Sequence, residues 1–98
     1  MTEINFTFGK LQSSVIEDIL VERYRQENKW GEQNHDPIVY SAILMEEVGE
    51  MVQAALQNKF GGDKGSLEHL REEAVQTAAV AMAIVECLDR KKWQWPKE

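Results

Sequence analysis

Glu46, Glu47 and Glu50 fall inside the apolar run ILMEEVGEM, residues 43–51. Glu73 and Gln76 repeat the three-residue spacing around the start of a second apolar run, AVQTAAVAMAIV, residues 74–85. On a helix, which turns roughly 100° per residue, Glu47 and Glu50 stand about 60° apart on one face, and Glu46 lies about 40° to the other side of Glu50. Carboxylates crowded onto one turn repel, and burying one without a partner is costly. Two readings follow for the second helix alone. Leu44, Val48, Met51 and Ala55 form an apolar stripe opposite Glu46, so the glutamates can be a solvated face. Alternatively they hold a cation.

The elements that must position these groups are legible as helices. The spacing of Ser14 and Glu17 is that of a capping box, and Val15, Ile16, Ile19, Leu20 and Tyr24 then form one stripe of a first helix. Its start can also lie earlier, near Lys10, and Gly31 is a plausible stop. Asp36-Pro37 opens a second helix that runs to about Phe60, where Gly61-Gly62 ends it. Ser66 starts a third, reaching about Arg90, with Pro96 beyond. Ile4, Phe6 and Phe8 alternate as an extended arm over residues 1–9 would, and residues 91–98 form a tail. Three helices and no clear strand predict a single all-α domain over residues 1–98.

The third helix changes the balance between the two readings. Residues 74–85 are apolar on every side but for Gln76 and Thr77, so this helix must be buried on every side. Three helices from one chain hardly enclose it, and a second copy of the chain is expected to complete the core, as helical bundles commonly do around metal sites. The short Gly61–Gly65 connection makes the second and third helices antiparallel neighbours, which brings Glu47 and Glu50 toward Glu73 and Gln76. Between Arg25 and Lys59 the only Lys or Arg is Lys29, so a bound cation is the economical partner for carboxylates meeting inside a bundle. Oxygen donors with no cysteine or histidine among them favour magnesium or manganese over zinc.

Other positions bound the function. A formal net charge of −6 disfavours non-specific binding to nucleic acid and to anionic membranes. The N-terminal MTEINFTFGK does not read as a secretory signal, the longest apolar run is too short to span a bilayer, and the one cysteine, Cys87, reads as a buried reduced thiol. A cytoplasmic protein is the expectation. In KWGEQNHD, residues 29–36, Trp30 either stacks on a base, with Gln33, Asn34 or His35 reading its edge, or closes the core at a helix end. Glu32 and His35 have the ExxH spacing of di-iron bundles but sit between Gly31 and Pro37, off any helix. Arg23, Arg25, Lys29, Lys59, Lys64 and Arg71 are the cations available to an anionic ligand, although each is also an ordinary surface charge.

Glu46-Glu47-Val48-Gly49-Glu50, a spacer and then Glu73-Ala74-Val75-Gln76 resemble the EExxE…ExxD signature of the all-α nucleoside triphosphate pyrophosphohydrolases, the MazG-like superfamily. LMEEVGEMVQAAL and LREEAVQTAAVAMAIVECLDR carry the likeness best, and it extends roughly from the first helix to Arg90. The resemblance implies magnesium-dependent, or manganese-dependent, cleavage of a nucleoside triphosphate to its monophosphate and pyrophosphate by a homodimer or homotetramer. It implies catalytic roles for Glu46, Glu47, Glu50 and Glu73. Glu47, Glu50, Glu73 and Gln76 then stand at metal-ligand positions, and Glu46 at the position that holds a second metal or activates water. Trp30, Lys29, Gln33, His35 and Arg23 are the expected substrate contacts. Gln76 departs from the family pattern, where aspartate is usual, and an amide brings neither charge nor basicity. The rival expectation is a non-catalytic helical oligomer that binds a nucleotide or a protein. A purely structural bundle with surface glutamates would respond to no metal.

Overall fold

The structure, a computed structural model, describes residues 8–61 and 66–96. They form three helices, α1 (Lys10–Trp30), α2 (Pro37–Phe60) and α3 (Leu67–Lys91), with no strand among the described residues. The all-α expectation holds. Most of the expected extended arm lies outside the described residues, and Phe8 and Gly9 adopt no regular structure.

Local chemistry sets the helix ends. α1 opens at Lys10 rather than at the Ser14–Glu17 pair, because nothing between Lys10 and Ser13 breaks a helix. Gly9 caps it instead, its N–H donating to Gln12 Oε1 at 3.3 Å. Gly31 stops α1 at φ +74°, a left-handed conformation that glycine adopts without penalty. The Asp36 carboxylate accepts the Val39 N–H at 2.9 Å and Pro37 takes the first helical position of α2, as the sequence predicts. Gly61 ends α2 for a steric reason. Its φ of −87° suits any residue, but a Cβ there would lie 2.5 Å from the Gln57 carbonyl oxygen. Ser66 accepts the His69 N–H at 3.0 Å to start α3, and Lys92, left-handed at φ 45°, closes it.

α3 packs against both α1 and α2, which do not pack against each other. Glu73, near the start of α3, lies beside Glu50 in mid-α2, and Cys87, near its end, donates to the His35 carbonyl just before α2. The pair is therefore antiparallel, as expected. α1 runs in the same sense as α3: Asp18 meets Arg71 and Arg23 meets Glu86, each at 2.6 Å. Arg90 then fastens the α1–α2 connection by donating to the Gln33 carbonyl and Asn34 Oδ1.

The core is thin. Its buried apolar members are Tyr40, Ala54, Ala79, Val80, Ala83 and Cys87. Alanines let the helix axes approach closely but remove little apolar area from water. Two features of the single chain follow, the first as the sequence predicts of three helices alone. Residues 74–85 are not enclosed all round, since Val85 is 57% exposed. The α1 stripe is largely outward, with Tyr24 70% exposed, while Arg23 and Gln26 face inward and are buried. Arg23 tolerates this because Glu86 and Glu27 neutralise it. The molecule is accordingly broad, 51 × 40 × 23 Å, with a radius of gyration of 16.2 Å. A compact chain of this length has about 13 Å.

Candidate functional site

Tyr40, Ile43, Glu47 and Ala54 line the side of α2 that turns toward α3, which places a carboxylate among groups that are apolar above and below it. Glu50 is one turn further along and exposed, and Glu73 comes from the second turn of α3 with its side chain 12% exposed. Carboxylate oxygens of Glu47, Glu50 and Glu73 all lie within 4.8 Å of one another. Glu47 Oε2 and Glu73 Oε2 are buried and accept no hydrogen bond. Burial, reinforced by the charge of Glu50, pushes both carboxyls above the ordinary carboxylate range. Glu73, Glu22 and Glu46 push Glu47 further in the same direction. His69, with Nε2 3.8 Å from Glu73 Oε1, opposes the rise at Glu73. Such a cluster is relieved either by protons or by a cation. Three hard oxygen donors, two of them with an unmatched buried oxygen, fit a divalent cation.

The remaining glutamate of the motif, Glu46, is exposed and is not one of the three whose oxygens converge. It contributes through its field at Glu47. Gln76 is half-buried, one turn beyond Glu73, and shares a cavity wall with Glu47.

That cavity, about 260 Å³, is the wedge left between α1 and α2, floored by Val80 and Ala83 of α3. Trp30, Gln33 and Arg23, three of the residues named as substrate contacts, line it. Trp30 is 54% exposed, so it does not close the core; its ring carries Lys29 Nζ 4.8 Å from the centroid. Lys29 itself and His35 are not on the cavity wall. His35 packs edge-on against Tyr40, with 4.9 Å between ring centroids, and Tyr40 Oη donates to the Gln33 carbonyl at 3.0 Å. Arg23 is on the wall but committed to Glu86 and Glu27, which leaves it no free charge to offer. Arg71 is likewise paired, with Asp18, and Lys59 lies over the Phe60 ring at 5.2 Å. Lys64 is outside the described residues. Glu32 and His35 lie off the helices, as their di-iron spacing required for its rejection.

Sequence reasoning missed Tyr40, and it named Arg25 as an available cation without Glu22 and Gln26 beside it on the same wall. The signal was present in the spacing: Glu22, Arg25 and Gln26 stand at i, i+3 and i+4, a polar face on a helix whose apolar stripe had been assigned inward.

Fold and site together define an all-α, three-helix chain carrying a tri-carboxylate cluster able to hold a divalent cation beside an open cavity. No family model, curated protein or solved structure matches the chain. No helix among the described residues is long and apolar enough to cross a membrane.

Proposed function

We propose that the protein is a divalent-cation-dependent nucleoside triphosphate pyrophosphohydrolase of the MazG-like type, cytoplasmic and working as a homodimer or homotetramer. The observation that carries this reading is the convergence of Glu47, Glu50 and Glu73 from two helices, with unmatched buried oxygens, next to a cavity that holds an aromatic side chain. On this reading those three carboxylates hold magnesium, or manganese, and Gln76 offers an amide oxygen beside them. A bound cation polarises phosphoryl oxygens, lowers the pKa of a coordinated water and cancels repulsion between a triphosphate and the carboxylates. The chain's own residues do the positioning. Trp30 would present a face for a base, Gln33 and Tyr40 border the same space, and Glu46, exposed next to Glu47, would accept a proton from water. Phosphoryl transfer asks mainly for positioning and charge neutralisation, and on this reading the bound cation would supply the second. The α1 stripe and Val85 are the surfaces a second copy would cover.

Gln76 favours a second reading, a nucleotide- or protein-binding helical oligomer without catalysis, because an amide stands where the enzyme pattern has a charged ligand. Pyrophosphate release from a panel of ribo- and deoxyribonucleoside triphosphates, measured against magnesium concentration, separates the two. The enzyme reading expects release from the parent, with Glu47→Ala, Glu50→Ala and Glu73→Ala each losing most of it. Gln76→Asp should retain activity and bind magnesium more tightly, and Gln76→Leu should weaken both. Release from Gln76→Asp but from no parent reaction would establish the binder. If Gln76→Leu matches the parent, Gln76 is a packing residue and the site has one ligand fewer.

A further inference from the structure

Arg25 grips Glu22 from one turn away on α1. Its Nε and Nη2 donate to Glu22 Oε1 and Oε2, both at 2.8 Å, and Gln26 Nε2 adds a third bond at 3.2 Å. The pair is unlike an ordinary surface i, i+3 contact in one respect. The acid is inside and the base outside: the Glu22 side chain is 13% exposed and that of Arg25 is 53% exposed. Glu22 borders the aromatic cavity and also a second one, toward Arg71 and Gln76. Its charge reaches Glu47. A fourth carboxylate therefore shares a cavity wall with Glu47 of the triad, and it is the one that a guanidinium neutralises. Arg23, the other guanidinium on the wall, is buried between Glu86 and Glu27 and cannot leave without breaking its ion pair to α3. Arg25 has only Glu22 to give up.

We propose that Glu22 and Arg25 are an exchange pair. When a divalent cation and a phosphate-bearing ligand enter together, Arg25 leaves Glu22 for the phosphate, and Glu22 adds its charge to the carboxylates around the cation. The inference rests on the cation reading of the triad above. A guanidinium fork meets carboxylate and phosphate with the same two parallel bonds, so the phosphate replaces what Arg25 loses. A phosphate alone would strand Glu22 beside three other carboxylates, and a cation alone would leave Arg25 without its partner. Either ligand thus removes the cost that opposes the other, which is a reciprocal coupling between two sites. Glu22 and Arg25 are positioning residues on this account.

Magnesium and inorganic phosphate, titrated by calorimetry into the full chain and corrected for their own complex, test it. In the parent, magnesium should tighten phosphate binding about tenfold, within the usual range for coupled sites. Glu22→Gln releases Arg25, so metal-free phosphate binding should become several-fold tighter and should respond less to magnesium than in the parent. Arg25→Gln should weaken phosphate binding with and without magnesium while magnesium alone binds at least as well as to the parent. A pair that only braced α1 would never tighten phosphate binding when cut. Metal-free phosphate affinity unchanged or weakened in Glu22→Gln, or retained in Arg25→Gln, would overturn the exchange. If the parent binds magnesium yet shows no coupling, the exchange fails and the cation reading stands. If it binds no magnesium, both fail.

Discussion

Glu47 and Glu73 have no counter-charge from lysine or arginine in the described structure, and their pH response follows from that. Burial raises both above the ordinary value of 4.5, so the folded chain holds these protons more tightly than the unfolded chain does. In the window between 4.5 and the raised values the native state carries more protons, and its stability falls as pH rises. The metal-free protein should therefore melt higher at mildly acidic than at neutral pH. Glu22 acts oppositely. Its hydrogen bonds from Arg25 lower its pKa, so its contribution is present above 4.5 and is lost as pH falls through its depressed value. Saturating magnesium should flatten the neutral side of the profile. Melting temperatures across this range, with and without magnesium, check the sign; a profile that rises monotonically toward neutral pH contradicts burial as the main influence on Glu47 and Glu73. The approach of Glu47 and Glu50 to Glu73 was readable because i, i+3 pairs on antiparallel neighbouring helices can face one another. The commitment of Arg23 to Glu86 was not, because that pairing depends on how α1 lies across α3.

At the scale of elements, the caps were legible and the inward faces only in part. Asp36-Pro37, Ser66 and Gly31 act through short-range chemistry that a sequence states directly. The face of α1 does not: its apolar stripe predicted the buried side, yet a paired arginine and a glutamine occupy it. Apolar periodicity reports that some surface will be covered, without saying whether this chain or another covers it. Gly61 makes the local claim testable. Gly61→Ala puts a methyl group against the Gln57 carbonyl, and the last turn of α2 must shift to admit it. The expected loss is ~1–3 kcal/mol in chemical denaturation, the usual cost of overpacking. A loss indistinguishable from zero would mean that the α2 terminus is not held as described.

The whole molecule has a thin alanine-rich core and large apolar side chains outside it. Tyr24, Leu20 and Val21 on α1, and Val85 on α3, stay substantially exposed. Scattered apolar residues on a surface are normal, but a stripe along a helix whose inward face is polar marks an interaction surface. The sequence reading of residues 74–85 led to a second copy, and the exposed stripe adds an independent reason for one. Light scattering should give at least a dimer at micromolar concentration, and Leu20→Glu with Tyr24→Glu should reduce the mass toward that of one chain. A parent that is monomeric throughout that range contradicts the assembly.

The reading of the site depends most on whether the three carboxylates hold a cation at all. Manganese titration followed by the loss of its free-ion paramagnetic resonance signal measures this without requiring turnover, and magnesium competition relates the result to the proposed cofactor. The account predicts a site in the parent that magnesium displaces and that Glu50→Gln weakens severely. It also predicts that magnesium at about a hundredfold excess over its Kd raises parental stability by about 2.7 kcal/mol. Glu50→Gln should keep or raise metal-free stability, since it removes one of the repelling charges. Manganese binding that is absent in the parent, or unchanged in Glu50→Gln, would contradict the account.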